Sequence, residues 1–163
     1  MKIGPKYKIA RRLGAQIFEK TQTQKFAASE SKKNRNEKFQ RNRSDFSVQM
    51  LEKQKARLSY GITEKQFSSY VASSFKDKES NKPDVLFKKL ETRLDNVIYR
   101  AGLSPTRRAA RQMVSHGHIK VNGKKITIPS HHVSEKDVIT MKDSSANKGM
   151  FTGREEVMEE YVA

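Results

Sequence analysis

Apolar residues in this 163-residue chain fall into short runs at helical spacing, parted by polar stretches. Ile9, Leu13 and Ile17 recur every four residues, which predicts a short amphipathic helix near the start. Residues 21–46 behave differently: Phe26, Ala27, Ala28, Phe39 and Phe46 are the only apolar members. Such a stretch buries too little surface to offset its ordering entropy, so it is expected to be disordered until a partner orders it. From Val48 the pattern tightens. Val48, Leu51 and Leu58 share a helical stripe that Gly61 ends. Thr63 with Gln66 three residues on has the form of a capping box, and it opens a helix whose apolar face is Phe67, Tyr70, Val71 and Phe75. Residues 46–76 therefore read as a helical hairpin, and the polar "KDKESNKPD" at 76–84 as a linker.

A second unit starts at Asp84. Phe87, Leu90, Leu94, Val97, Ile98 and Ala101 predict one helix closed by Gly102. Ser104 is a suitable N-cap with Pro105 in the first turn, so another helix is expected from there to Gly117. Ile119 and Val121 then alternate with polar residues, Asn122-Gly123 signals a tight turn, Ile126 and Ile128 continue the alternation, and "DVITM" at 137–141 reads as a further strand. The predicted class is α+β, with a helical N-terminal domain and an inserted module of two helices on a short, mostly antiparallel sheet. The expected boundaries are residues 1–83 for a basic arm plus helical domain, with 144–163 folding back onto it, and 84–143 for the module.

Charge changes the picture. Lys and Arg total 34 against 18 Asp and Glu, a formal net charge of +16. Residues 1–45 carry 13 basic and 4 acidic side chains, 46–79 carry 6 and 4, 80–143 carry 13 and 6, and 144–163 carry 2 and 4. Two basic regions flanking a balanced middle suggest two contact surfaces for one large anion. The absence of cysteine rules out disulfides and Cys-based zinc sites and points to a reducing compartment. No apolar run reaches membrane-spanning length and no secretory leader is visible, so the expectation is a soluble, intracellular protein with no membrane partner.

The module holds the densest basic feature. At about 100° per residue, Arg107, Arg108 and Arg111 fall on one arc of their helix, with Ala109, Ala110, Met113 and Val114 on the other. The apolar arc can pack on the preceding helix and leave three guanidiniums pointing outward, each a rigid fork matched to phosphate oxygens. An ordinary solvated face intersperses both signs, yet residues 96–134 contain no Asp or Glu. Gly123 is explained by the positive φ its turn needs, and that turn carries Lys124 and Lys125 alongside the helix.

Other chemistry is poorly supported. His116, His118, His131 and His132 lack nearby Cys or acidic ligands and sit among repelling cations, which argues against a metal. His116 or His118 stacking on RNA is more plausible, and simple solvation more so. Arg93-Leu94-Asp95 resembles the tripeptide holding the catalytic aspartate of pseudouridine synthases, but it lies within a predicted amphipathic helix where Arg93 and Asp95 would be exposed. No phosphate loop, nucleophile triad or carboxylate pair is evident, so no enzyme is predicted and no cofactor or metal is implied. Lys2, Lys6, Lys8, Arg11 and Arg12, with Lys32, Lys33, Arg35, Lys38, Arg41 and Arg43, are interleaved with Tyr7, Phe18, Phe39 and Phe46. This pattern fits an arm that folds on RNA, or a disordered basic tail, and Phe39 and Phe46 could equally be packing residues.

Three ordered motifs, "GPKYKIARRLG" at 4–14, "EKQKARLSYGITEKQF" at 52–67 and "RLDNVIYRAGLSPTRRAARQMVSHGHIKVNGKKI" at 93–126, resemble the family of protein four of the bacterial-type small ribosomal subunit. The similarity runs over roughly residues 3–143, apart from a polar stretch near 21–40. Some members carry a cysteine zinc knuckle, which a chain without cysteine cannot form. The resemblance implies a structural constituent of the small subunit that binds its ribosomal RNA early in assembly. It also implies contact with neighbouring proteins, protein five above all, a place lining the messenger RNA entrance, and an influence on translational fidelity. The expected location is a cytoplasmic ribosome, or an organellar one. The candidate RNA-binding residues are Lys6, Lys8, Arg11, Arg12, Lys53, Lys55 and Arg57 in the first domain, and Arg93, Arg107, Arg108, Arg111, Gln112, His116, Lys120, Asn122, Lys124 and Lys125 in the module. The alternative is an RNA-modifying enzyme, for which the roughly 100 mostly helical residues outside the module offer no catalytic constellation, or a stress factor using the same module, which would not account for the first two motifs.

Overall fold

The computed structural model describes residues 3–34, 44–77 and 81–142, and divides the chain into two compact units, Met1–Phe67 and Ser68–Ala163. In the first unit, α1 (Lys6–Leu13) buries Ala10 and Leu13, and a single 3-10 turn (Glu19–Thr21) leads to α2 (Gln24–Asn34). Ala10, Phe18 and Phe26 form a small core, flanked by Ile3, Tyr7, Ile9 and Ile17. The helix over Gln24–Asn34 departs from the expectation of disorder between 21 and 46. One aromatic makes the difference: Phe26 is 1% exposed, its ring 5.1 Å from that of Tyr7. Residues 35–43, which hold much of the expected arm, and the tail from 143 onward lie outside the described residues.

α3 (Asp45–Ser59) starts at Ser44, whose hydroxyl accepts the Ser47 N–H. None of its residues is fully buried, and Val48, expected on the apolar stripe, is exposed. At its end Ile62 N–H donates to Arg57 O and Gly61 N–H to Leu58 O, the paired bonds of a Schellman motif, with Gly61 at φ 62° and Ile62 buried beyond it. Thr63 caps α4 (Glu64–Lys76) through the Gln66 N–H, as the capping box predicts. Phe67 is buried on α4 but Phe75 is exposed.

The second unit is α+β, as expected. After α4 come α5 (Lys82–Glu91), α6 (Leu94–Arg100) and α7 (Arg107–Ser115), then β1 (Ile119–Val121), β2 (Lys124–Lys125) and β3 (Ile139–Met141). The sheet order is β2-β1-β3, antiparallel throughout, with Lys120 opposite Lys125 and Thr140. Leu94, Ile98 and Leu103 meet Ala110, Met113 and Val114 of α7 and Ile119, Val121 and Met141 of the sheet in one core.

Two boundaries differ from the sequence expectation. The single helix expected before Gly102 is two, because Arg93 is extended (φ −67°, ψ 136°) and bridges to His132. The free N–H groups of α6 are taken up by the loop facing them: Leu94 N–H donates to His131 O at 2.8 Å and Asp95 N–H to Pro129 O at 3.1 Å. The N-cap of α7 is Thr106, whose hydroxyl accepts the Ala109 N–H at 3.0 Å, and not Ser104, which is buried and donates to Thr106 O.

Candidate nucleic-acid interface

Helix α7 packs Ala110, Met113 and Val114 inward and leaves Arg108, Gln112 and Ser115 exposed. Its other two arginines turn back toward α6. Arg107 Nε donates to Asn96 Oδ1 at 2.7 Å, and the guanidinium lies over the Tyr99 ring, 4.4 Å from its centroid. Arg111 Nε and Nη2 both reach Asp95 Oδ2, at 2.8 and 2.7 Å. Arg93 grips the same carboxylate with Nε at 3.0 Å and Nη2 at 2.9 Å, while its Nη1 donates to Tyr70 Oη at 2.7 Å.

The expectation that Arg93 and Asp95 are exposed is therefore corrected: each side chain is 2% exposed. The cause is the helix break, since Arg93 precedes α6 as its extended N-cap and its side chain does not follow the helical phase. Burial by itself would lower the Arg93 pKa, but its hydrogen bond and charge interaction with Asp95 outweigh that and hold it above its ordinary value. The expected absence of acid near the arginines is corrected too: Asp95 precedes the acid-free stretch by one position and lies beneath Arg111.

The hairpin carries three more of the candidate cations, Lys120, Lys124 and Lys125. Asn122 (φ 51°) and Gly123 (φ 76°) make the turn that Asn-Gly predicts. The Asn122 side chain is committed to that turn: its Nδ2 donates to Asp137 Oδ1 at 2.8 Å and its Oδ1 accepts the Val138 N–H at 2.9 Å. The Ser134 N–H and the Asn122 amide in turn lower the Asp137 pKa. Lys124 and Lys125 are exposed and Lys120 is half-buried. The Lys125 stem crosses Gly117, where a β-carbon would stand 2.1 Å from its Cε. His116 is exposed, with its ring centroid 6.0 Å from that of His118.

In the first unit Lys6 and Arg11 stand over rings, and Lys53, Lys55 and Arg57 beside acids. Lys6 Nζ lies 5.7 Å from the Phe18 centroid, and the Arg11 guanidinium 5.5 Å from that of Phe26, with Arg11 Nη2 donating to Ser29 Oγ. Lys8 and Arg12 are exposed. Lys53 and Arg57 share Glu64, whose carboxyl pKa is lowered first by the Lys53 hydrogen bond, and Lys55 pairs with Glu52 at 2.6 Å. Lys2 and the side chains of Lys32, Lys33, Arg35, Lys38, Arg41 and Arg43 lie outside the described residues.

Comparison with known proteins assigns both parts. A family described as "Ribosomal protein S4/S9 N-terminal domain" matches residues 1–91, and one described as "S4 domain" matches residues 92–139. The chain belongs to the ribosomal protein S4 family. It is 56% identical over 103 residues to small ribosomal subunit protein uS4 of Cutibacterium acnes, a match covering 63% of this chain and 50% of that protein. To uS4B of Clostridium acetobutylicum it is 44% identical over 143 residues, 88% of this chain and 69% of the relative. To uS4c of Chlorokybus atmophyticus it is 42% identical over 150 residues, 91% and 72%. The chain thus spans about half the length of the relative matched at 56% identity.

Within the S4-domain match, Arg107, Arg108, Arg111 and Gln112 lie on α7, His116 is its C-cap and Lys120, Lys124 and Lys125 lie on the hairpin that follows, whereas Arg93 is buried and Asn122 holds the turn. Glu91, Asn96 and Tyr99, which together with Asp95 hold the arginines, are the residues that sequence reasoning missed. Among the described residues, no group of three or more His, Asp or Glu could hold a metal, and no helix is long and apolar enough to cross a membrane.

The S4 domain also contains a pH-sensitive group. His132 lies edge-on to Tyr70 with Nδ1 3.0 Å from Thr92 Oγ1. Partial burial lowers its pKa from the ordinary 6.5, and the charges of Arg93, His131 and Lys89 lower it further. The unfolded chain therefore takes up this proton more readily, so the stability His132 contributes is complete above about pH 6.5 and is lost as pH falls through its folded pKa. Urea unfolding at pH 7.5 and 5.5 is expected to give the lower midpoint at 5.5, with a smaller difference in His132→Gln. An equal difference in both proteins would mean that other groups set the pH dependence.

Proposed function

We propose that this chain is a structural, non-catalytic constituent of the small ribosomal subunit that holds small-subunit ribosomal RNA through phosphate contacts. The observation carrying this reading is the set of cations on two adjoining elements of an S4 domain, Arg107, Arg108 and Arg111 on α7 and Lys124 and Lys125 on the hairpin that follows. Three relatives named as small ribosomal subunit proteins, two bacterial and one from Chlorokybus atmophyticus, support the subunit assignment. Lys6, Lys8, Arg11, Arg12, Lys53, Lys55 and Arg57 are proposed as first-unit contacts. For Lys53, Lys55 and Arg57 the ion pairs with Glu64 and Glu52 must loosen or be shared when phosphate arrives, which makes them weaker contributors than exposed Lys8 and Arg12. Contact with protein five, a place near the messenger RNA entrance, an effect on fidelity, and residence in a cytoplasmic or organellar ribosome belong to the same proposal.

Sedimentation of host ribosomes through high salt tests it. The chain is expected in small subunits at one copy each, retained after the wash. A substoichiometric amount released by the wash would favour a transient factor and overturn the structural role.

A further inference from the structure

Two consecutive polar residues of α6, Asp95 and Asn96, are 2% and 1% exposed. Burying a carboxylate and an amide costs free energy that apolar residues of similar size would not, and buried ion pairs add little net stability. Each instead fixes one α7 arginine by a directed bond. Asp95 takes the Nε–Nη2 edge of Arg111 while Arg93 saturates the carboxylate from the opposite side. Asn96 accepts from Arg107 Nε, and its own amide is oriented by donating to Glu91 Oε2 at 2.8 Å and Glu91 O at 3.1 Å. Tyr99 fixes the plane of the Arg107 guanidinium from below. A guanidinium held by its Nε edge turns its other edge away from the anchoring oxygen, and Arg111 is still 29% exposed.

We propose that Asp95 and Asn96 are positioning residues that preset Arg111 and Arg107 in the free protein, so that RNA phosphates meet guanidiniums whose rotamers are already fixed. The inference rests on the RNA-binding reading of this face. Two flexible side chains ordered before contact leave that much less entropy to lose on binding. Arg108, exposed on the same helix, supplies charge without this constraint.

The test uses two double-mutant cycles in the full chain, Asn96→Ala with Arg107→Gln and Asp95→Asn with Arg111→Gln, measured as affinity for a bacterial small-subunit rRNA transcript. The Asn96 cycle removes no buried charge, so it stands even if Asp95→Asn unfolds the module. Each single change is expected to weaken binding about tenfold, and each double no further than its arginine change alone. In NMR spectra of the RNA-free chain, the Nε–Hε signals of Arg107 and Arg111 are expected to be sharp and dispersed, and to average in Asn96→Ala and Asp95→Asn respectively. Additive losses of about a hundredfold in the doubles, or averaged signals in the unaltered chain, would overturn the positioning role and leave the RNA-binding reading standing. Full affinity in both arginine variants would overturn both.

Discussion

Replacing Asp95 with Leu is expected to lower the unfolding free energy by about 3–5 kcal/mol. Asp95 accepts hydrogen bonds from Arg93 and Arg111, and the guanidinium of Arg93 is almost wholly buried. Arg93 stays charged because its interactions with Asp95 outweigh the effect of burial. Without the carboxylate that charge keeps only Tyr70 Oη among the partners named above, which does not replace an anion. Arg93→Met combined with Asp95→Leu removes both charges and is expected to recover most of the loss, since isolated buried pairs exchange for apolar packing at little net cost. Urea denaturation of the full chain followed by circular dichroism gives both values. A single-variant loss under about 1 kcal/mol would mean that water reaches Arg93 and that the pair is not a desolvated one.

The same residues mark how far the sequence could be read. The helices, the Asn-Gly hairpin and the α+β class follow from periodicity and turn chemistry, because apolar spacing and left-handed residues act locally. The break at Thr92–Arg93 does not, because Leu90, Leu94, Val97 and Ile98 stay in step across it. What stops the helix is a non-local set of hydrogen bonds from residues 129–133. Asp95 was partly legible: it lies about 60° around α6 from buried Ile98, at the flank of the apolar arc, where a carboxylate needs a buried partner. Asn96 gives no such signal, since its phase is opposite Leu94, and only Glu91 and the arrival of Arg107 enclose it. For the site, sequence position showed which residues are basic but not what each cation faces. For Lys53, Lys55 and Arg57, proposed as phosphate contacts, it is the structure that puts Glu64 and Glu52 beside them. Phe26 is the converse case, one aromatic that organises a stretch whose average composition predicts disorder.

Changing Arg107, Arg108 and Arg111 together to Gln is expected to weaken binding to a junction-containing small-subunit rRNA fragment by about 100-fold near 0.1 M salt and to reduce the salt slope by about 2–3. Each phosphate neutralised by a cation releases condensed counterion, and three lost contacts remove that many increments from the dependence of affinity on salt. The scaffold is expected to survive. Ala110, Met113 and Val114 still fill the core, Thr106 still caps α7, and Arg93 still neutralises Asp95 when Arg111 is gone. Gln at Arg107 and Arg111 can keep a neutral hydrogen bond to Asn96 and Asp95, so a loss of affinity reports charge at the surface and not collapse beneath it. Filter binding between 0.05 and 0.3 M salt gives the slope, and far-ultraviolet circular dichroism checks the fold. Arg108→Gln alone separates the two kinds of arginine on this face. With no α6 side chain holding it, its loss is expected to flatten the slope by about one phosphate while costing less affinity than Arg107→Gln or Arg111→Gln. If the triple variant keeps both slope and affinity, the phosphate-binding surface of the S4 domain lies elsewhere than on α7.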